Sequence, residues 1–208
     1  MGIPVLIMGE SGSGKSASLR NFEPNEIGIF NVAGKPMPFR KKLAMADNAD
    51  YQTIINELAN CRFKCFAIDD SQYLIAFEFF AHAGEKGYDK FTVMALNFYN
   101  LIQYVKLYTP PECIVYFLHH VETSYDSGGN KRLKAKTIGK MLDEKLTVEG
   151  LFSIVLLCQS DNTNRHYFVT QSCGNSTAKS PMDMFPLEID NDLKLVDKTI
   201  REYYSMEV

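Results

Sequence analysis

Short apolar runs alternate with segments of helical periodicity along this chain. The runs, rich in β-branched and other apolar residues, predict five buried strands at residues 3–8, 27–32, 65–68, 113–118 and 152–158. The intervening segments predict helices at residues 15–21, 51–60, 72–83, 91–108, 139–146 and 191–204. Such alternation is typical of a mostly parallel sheet covered by helices, which predicts an α/β three-layer sandwich.

Three local patterns refine this prediction. Residues 125–130 read Tyr-Asp-Ser-Gly-Gly-Asn and predict a hairpin turn or a mobile loop between the fourth and fifth strands. The acidic and amide side chains of residues 190–192 are typical of a helix start, because they satisfy free backbone N–H groups. In the longest helix, four apolar residues recur at helical spacing and predict a buried face. These four are Met94, Leu101, Ile102 and Val105.

The composition is that of one ordinary domain. The chain has 208 residues, 46% hydrophobic and 23% charged, which predicts a single domain over residues 1–208. The formal net charge of −3 supplies no global positive field, so any nucleic-acid contact must come from a local basic stripe. Five cysteines without a regular framework, and no apolar run near the roughly 20 residues of a membrane span, predict a cytoplasmic protein without a membrane segment.

A glycine-rich loop between the first strand and the first helix carries the strongest chemical signal. Gly9-x4-Gly14-Lys15-Ser16 matches the Walker A phosphate-binding pattern in full. Its glycines let backbone N–H groups approach phosphate oxygens, and the following helix would present its positive end to the same charge. Lys15 would span the β- and γ-phosphates, and the Ser16 hydroxyl would complete a Mg²⁺ shell. The predicted nucleotide-binding residues are Gly9, Glu10, Ser11, Gly12, Ser13, Gly14, Lys15, Ser16 and Ala17.

Two adjacent carboxylates end the third predicted strand. Residues 63–70 read Phe-Lys-Cys-Phe-Ala-Ile-Asp-Asp, which is the Walker B arrangement. Asp69 is predicted to hold the metal, directly or through water. Asp70 points the other way from the strand end, where it would orient or deprotonate the attacking water, or else cap the helix that begins near Ser71.

Polar residues also follow the fourth predicted strand. Ligands of open α/β sheets bind outside the carboxyl ends of the strands, so His119 is a candidate sensor of the γ-phosphate; an ordinary hydrogen-bonded histidine is the alternative. The pair His119 and His120 also raises a zinc site with Cys61 and Cys65. We disfavour zinc, because no spacing in the chain is typical of a closed four-ligand site.

Walker A on the first strand, Walker B on the third and a polar tip on the fourth resemble the RecA-like and AAA-type branch of P-loop ATPases. In that branch the fourth strand lies between the other two, which implies a mostly parallel five-stranded RecA-like core. The whole chain is similar to phage-encoded AAA-domain proteins that include core-only RecA-like recombinases, also described as single-strand annealing proteins. In its C-terminal half, the similarity lies in residues 177–186, Thr-Ala-Lys-Ser-Pro-Met-Asp-Met-Phe-Pro, and in residues 189–193.

The resemblance implies ATP and Mg²⁺ as ligands, ATP hydrolysis, and a homo-oligomer that is a ring or a filament. It also implies single-stranded DNA as a partner, in recombination, repair or replication of a phage genome in the bacterial host cytoplasm.

One departure concerns the catalytic base: RecA-like proteins commonly carry a glutamate at the end of the second strand, where residues 30–35 read Phe-Asn-Val-Ala-Gly-Lys. Either Asp70 or Glu10 takes that role, or hydrolysis is slow and ATP acts mainly as an assembly switch. The candidate catalytic residues are Lys15, Asp70, Glu10 and His119.

Basic residues follow the glycines of the predicted hairpin turn. In an extended segment, alternate residues share one face, which would contact DNA phosphates or a neighbouring subunit's γ-phosphate; a solvated hairpin is the alternative. With one lysine of the closing segment, the candidate contacts are Lys131, Arg132, Lys134, Lys136 and Lys179, and Lys140 lies just beyond the hairpin. A second basic cluster is residues 40–42, Arg-Lys-Lys, for which a solvated surface is favoured. Tyr88 with Lys86 and Lys90 combines an aromatic ring with cations, which would bind single-stranded bases and backbone; a packed tyrosine is the alternative.

Two other functions compete with a DNA-associated ATPase. A small-molecule P-loop kinase needs an arginine-rich lid, whereas the six arginines of this chain are scattered. A loader or scaffold whose nucleotide only sets its shape gains support from the missing carboxylate. A GTPase is disfavoured, since no Asn-Lys-x-Asp motif is present, and adenine is therefore the predicted base.

Overall fold

Strands and helices alternate along the chain in the computed structural model, which describes residues 1–85, 87, 89–125, 128–138 and 147–206. The strands are β1 (Ile3–Gly9), β2 (Gly28–Asn31), β3 (Ala44–Asp47), β4 (Cys65–Asp69), β5 (Ile114–Tyr125), β6 (Lys131–Ala135), β7 (Ile154–Ser160), β8 (His166–Val169) and β9 (Glu188–Asp190). The α-helices are α1 (Tyr51–Asn60), α2 (Gln72–Ala81), α3 (Asp89–Tyr108) and α4 (Leu193–Tyr203). Two 3₁₀ helices cover Ser16–Asn21 and Val148–Leu151. The helix predicted at residues 139–146 lies outside the described residues.

Parallel strands form the centre of a mixed sheet. Their order is β3-β2-β4-β5-β1-β7, and the antiparallel strands β8 and β9 extend the sheet beyond β7. The end of β5 pairs with β6 as an antiparallel hairpin, in which Glu122 lies opposite Lys134. Because β5 lies between β1 and β4, the carboxyl ends of these three strands meet at one edge of the sheet.

Side chains of the central strands alternate between two cores, one on each face of the sheet. In β1, Leu6 and Met8 face the core that includes α1, α2 and α3, whereas Val5 and Ile7 face the core that includes α4. Burying each such side chain contributes roughly 1.5–3 kcal/mol to folding. Strands buried on both faces read as continuous apolar runs, which is why the sequence predicts them clearly.

The predicted α/β class and the mostly parallel sheet are confirmed. The parallel part differs in detail, since β3 adds an edge strand that the sequence does not predict. The helix predicted at residues 15–21 is a six-residue 3₁₀ helix at Ser16–Asn21. Since a short 3₁₀ turn aligns few peptide dipoles, the positive helix end expected for phosphate binding is weak here.

Three local predictions agree with the structure. All four apolar residues of the predicted stripe in α3 are buried. The Asp192 carboxylate caps α4, because it accepts hydrogen bonds from the backbone N–H groups of Lys194 and Leu195. Strands β5 and β6, on either side of the predicted turn segment, pair antiparallel as a hairpin requires, and residues 126–127 between them lie outside the described part. Within the described ranges, no helix combines the length and apolar character needed to cross a bilayer.

Candidate functional site

The glycine-rich loop after β1 closes around the Lys15 side chain. Lys15 Nζ donates hydrogen bonds of 2.8 Å to the carbonyl oxygens of Gly9 and Glu10. Gly12 and Gly14 have φ angles of +80° and +103°, a region that favours glycine. Lys15 is only 6% exposed, and this burial lowers its pKa. The loop therefore holds a desolvated cation, and among the described residues no carboxylate forms an ion pair with its amine, which suits an incoming anion.

Ser16 and Asp69 meet at the floor of the same site. Ser16 Oγ donates a 2.8 Å hydrogen bond to Asp69 Oδ1, which joins the loop to the carboxyl end of β4. Burial raises the pKa of Asp69, and the hydrogen bond from Ser16 acts in the opposite direction. A hydroxyl and a carboxylate are hard oxygen donors of the kind that Mg²⁺ uses together with phosphate oxygens. These two side chains fit the predicted metal site.

Asp70 turns away from Asp69 and binds two basic side chains. Its φ angle is +59°, in the left-handed region, which directs the carboxylate toward Lys35 and His120. Lys35 Nζ forms an ion pair with Oδ2, and His120 Nε2 lies 3.1 Å from Oδ1. Burial raises the pKa of Asp70, but the hydrogen bonds from His120 and Lys35 outweigh it, and the pKa is about 2. The side chain does not cap α2, whose N-cap residue is Ser71.

Lys35 and His166 are side chains at this site that the sequence does not single out. Lys35 follows β2, close to the position where the resemblance implies a catalytic glutamate. The buried Asn31 side chain fixes this loop: its Nδ2 donates to the carbonyl oxygen of Lys35 at 2.8 Å and to Asp47 Oδ1 at 2.6 Å. Its Oδ1 accepts from the backbone N–H of Lys35 at 3.2 Å. A lysine therefore lies beside the Walker B carboxylates, where the resemblance implies a glutamate.

The two histidines at the end of the hydrophobic part of β5 have different surroundings. His119 is fully buried; its Nε2 donates to the carbonyl oxygen of Lys136, and its Nδ1 lies 2.8 Å from Ser71 Oγ. Burial lowers the pKa of His119 to about 4, so the ring is neutral near pH 7. This geometry fits the hydrogen-bonded alternative rather than a γ-phosphate sensor. His120, on the opposite face of β5, is the histidine that faces the site.

One cavity is lined by the lysines, the carboxylates and the Ser16 hydroxyl described above. It has a volume of about 350 Å³ and extends from the glycine-rich loop to the segment after β2. His166 closes it from β8, where Nδ1 donates to the carbonyl oxygen of Ser13 at 2.8 Å and the ring lies 2.9 Å from the position a Gly14 Cβ would take. The functional side chains on its wall are Lys15, Ser16, Lys35, Asp69, Asp70, His120 and His166.

A second cavity, of about 340 Å³, lies on the other side of the glycine-rich loop. Glu10 and Ser11 line it from the loop, and Lys131 and Leu133 line it from the hairpin strand β6. Glu10 does not line the cavity that contains Asp69 and Asp70. As the base candidate, Glu10 is thus less favourably located than Asp70.

The basic residues predicted to contact DNA or a neighbour lie in three settings. Lys131 and Arg132 are exposed on β6, and Lys136 is exposed just beyond it. Lys134 shares a face with Arg132, as the alternation predicts, and its Nζ lies 3.0 Å from Glu122 Oε1. Lys179 pairs through its backbone with Val155 in β7 and lines neither cavity at the loop. Lys140 is outside the described residues.

The remaining candidates are separate from the site. Cys65 lies opposite Ile114 at the start of β5, whereas His119 and His120 lie near the far end of the apolar part of that strand. The strand geometry thus does not bring the residues of the zinc alternative together. In the part of the chain that the structure covers, no group of three or more His, Cys, Asp or Glu side chains is arranged to hold a metal. Tyr88 and Lys86 lie outside the described residues.

Replacing Ser16 by alanine tests the metal site. The change removes one hard oxygen donor, and losing even an outer partner of a metal site typically costs about 10- to 100-fold in metal affinity. In the wild type, Mg²⁺ should increase the affinity for an ATP analogue. In Ser16→Ala we expect this increase to be smaller by about tenfold or more, as measured by titrating the analogue in Mg²⁺ and in EDTA. Ser11→Ala, on the same loop, is the matched control. Equal Mg²⁺ dependence in both variants would remove Ser16 from the site.

No family model matches the chain, and no curated protein matches it.

Proposed function

We propose that this chain is a P-loop ATPase of the RecA-like kind that acts on single-stranded DNA as an assembly of several copies. The observation that carries the proposal is the meeting of Lys15, Ser16 and Asp69 in one cavity, with the 2.8 Å hydrogen bond from Ser16 to Asp69. A glycine-rich loop, a buried lysine and a hydroxyl–carboxylate pair are the parts that triphosphate and Mg²⁺ binding needs.

Each side chain has a distinct task in this proposal. Lys15 exchanges its two carbonyl partners for phosphate oxygens, and loop N–H groups bind the same phosphates. Ser16 and Asp69 hold Mg²⁺, which neutralises charge on the phosphates when it is bound. Asp70 and His120 lie beside this pair, where an attacking water is oriented. ATP is favoured over GTP because the chain lacks the guanine-binding motif.

The strand order supports the RecA-like part of the proposal. Strand β5 lies between β1, which carries the glycine-rich loop, and β4, which ends in Asp69. This is the order that the resemblance implies. The two additional antiparallel strands and the edge strand β3 enlarge the sheet without changing the order at the site.

The hairpin of β5 and β6 is the proposed contact with DNA. Lys131 and Arg132 are exposed, and Lys131 lines the cavity beside the glycine-rich loop. DNA phosphates bound by this hairpin would therefore lie next to the nucleotide, which would link DNA binding to occupation of the nucleotide site. Tyr125 is 71% exposed at the end of β5 and is available for base stacking.

One observation favours a second function, a nucleotide-switched loader or scaffold with slow hydrolysis. Asp70, the best-placed base, is bound by both Lys35 and His120. A carboxylate with a pKa of about 2 is a weak general base near neutral pH. In this second function, ATP binding would drive the assembly of several copies, and ATP hydrolysis would be slow.

Turnover and mass measured together distinguish these functions. ATP hydrolysis is followed with and without single-stranded DNA, and the mass of the particle is measured with a non-hydrolysable analogue. DNA-stimulated turnover with growth of an oligomer supports the ATPase. Growth of the oligomer with no stimulated turnover supports the switch, and phosphate transfer to a small acceptor would contradict both.

The double change Lys131→Gln and Arg132→Gln tests the hairpin. Each phosphate contact on a single strand contributes about 0.7 to the slope of log affinity against log salt. Losing two contacts should therefore lower the slope by about 1.4 and weaken binding of a labelled oligonucleotide in anisotropy titrations. Arg40→Gln with Lys42→Gln removes the same charge from an exposed segment elsewhere. The same loss in both double variants would show a general charge effect instead of a hairpin contact.

A further inference from the structure

Lys35 presents a second cation to the cavity that holds Lys15. Its side chain is 58% exposed, and its Nζ reaches the cavity wall to pair with Asp70 Oδ2. The ammonium also lies 5.4 Å from the centre of the Tyr73 ring. The two lysines come from different segments, one from the loop after β1 and one from the segment after β2.

The backbone beneath Lys35 is fixed, whereas its ammonium is free to change partners. Asn31 binds both the N–H and the C=O of Lys35 and anchors this segment to β3 through Asp47. The lysine stem beyond that anchor has four rotatable carbons, and the Lys35 side chain is 58% exposed, so its ammonium can reach other partners at the mouth of the cavity. A phosphate, which is more highly charged than a carboxylate, would replace Asp70 as its partner, and Asp70 would keep His120.

The charge of the cavity wall also requires such a cation. Lys15 and Lys35 balance the charges of Asp69 and Asp70, so without Lys35 two carboxylates would face a single lysine on this wall. A triphosphate adds several negative charges beside these two carboxylates. The terminal phosphate and the Asp70 carboxylate would then repel each other unless a cation lies between the two groups.

We propose that Lys35 is a second phosphate-binding lysine, which acts within its own chain and moves from Asp70 to the terminal phosphate of the bound triphosphate. The inference rests on the proposed nucleotide site. It assigns to Lys35 the distinction between triphosphate and diphosphate, because in this proposal the group that Lys35 binds is the γ-phosphate, which a diphosphate lacks. When Lys35 leaves, Asp70 retains His120 as its partner, which links occupation of the site to the state of the candidate base.

The test is the ratio of two affinities in Lys35→Gln. A non-hydrolysable ATP analogue and ADP are titrated calorimetrically, each with Mg²⁺, into the wild type, Lys35→Gln and Lys35→Arg. Loss of one charge-assisted hydrogen bond contributes about 1.5–3 kcal/mol, so we expect Lys35→Gln to lose roughly tenfold or more in affinity for the analogue. ADP affinity should stay within about twofold, because its phosphates end at Lys15. Lys35→Arg should recover most of the ratio, and Lys42→Gln, an exposed lysine of the same segment, should match the wild type.

The outcomes separate this inference from the function on which it rests. If the wild type binds neither nucleotide, the proposed site itself is wrong. If the wild type binds both and Lys35→Gln keeps the wild-type ratio, Lys35 is only a structural partner of Asp70 and the inference fails. A parallel loss for both nucleotides also overturns it, because a merely structural role would alter the whole cavity. Thermal unfolding of each variant shows that the comparison concerns folded protein.

Discussion

Lys15→Ala should abolish measurable nucleotide binding, with a loss in affinity of about a hundredfold or more. The reason is the setting of the ammonium, which is 6% exposed and is held at the centre of the glycine-rich loop by Gly9 and Glu10. Two charge-assisted hydrogen bonds to phosphate contribute about 1.5–3 kcal/mol each, and every 1.4 kcal/mol is about a factor of ten. Titration of a fluorescent ATP analogue into the wild type and the variant measures the loss.

The variant should remain folded, which makes its loss of binding informative. Burial lowers the pKa of Lys15, so removing the charged amine relieves a cost in the nucleotide-free protein, whereas losing its hydrogen bonds to the Gly9 and Glu10 carbonyl oxygens acts in the opposite direction. The thermal midpoint should therefore stay close to that of the wild type. Lys42→Ala removes an exposed lysine and serves as the control. Unchanged binding in a folded Lys15→Ala protein would show that the phosphate site lies elsewhere.

Arg201→Met should lower the free energy of unfolding by about 3–5 kcal/mol, the range for breaking a buried ion pair. Arg201 is 5% exposed on α4, and its Nε lies 2.6 Å from Asp197 Oδ2. Its guanidinium also donates to the carbonyl oxygens of Glu112 and Lys64, which precede β5 and β4. The single change leaves a buried carboxylate that keeps the hydrogen bond from Tyr116 Oη but has lost its guanidinium partner, and it leaves two carbonyls without their arginine donor. Urea denaturation followed by circular dichroism measures the effect.

Two further variants show whether the cause is the unpaired charge. Arg201→Met with Asp197→Leu replaces both partners by apolar groups and should recover part of the loss, because no buried charge is then left alone. Lys198→Ala changes an exposed ion pair one residue further along α4 from Asp197 and should leave the midpoint unchanged. If Arg201→Met were as stable as Lys198→Ala, the role of this ion pair in fixing α4 would be refuted.

The buried strands could be predicted because their apolar runs identify them without knowledge of the strands with which they pair. β1, β4 and β7 are continuous apolar runs, buried on both faces, and their positions follow from hydrophobicity alone. The edge strands could not be predicted in this way. β3 has a half-exposed pattern in four residues, and β9 has three, so their extended form depends on pairing with β2 and β8.

The same distinction applies to the candidate site. Residues 9–16 are contiguous, and their spacing alone predicts the loop that the structure contains. Lys35 and Asn31 reach the site through the register of β2 against β4, where Asn31 lies opposite Asp69, and no local pattern gives that register. Strand alternation separates His119 from His120, but the choice between them depends on Ser71 and Lys136, which cover one face of β5.

A crystal structure of the protein with Mg²⁺ and a non-hydrolysable ATP analogue would show where the nucleotide binds. We expect the phosphates in the 350 Å³ cavity, with β- and γ-phosphate oxygens within hydrogen-bond distance of Lys15 Nζ and Mg²⁺ beside Ser16 Oγ and Asp69. A nucleotide bound elsewhere on the chain, with Lys15 still bonded to Gly9 and Glu10, would contradict this expectation.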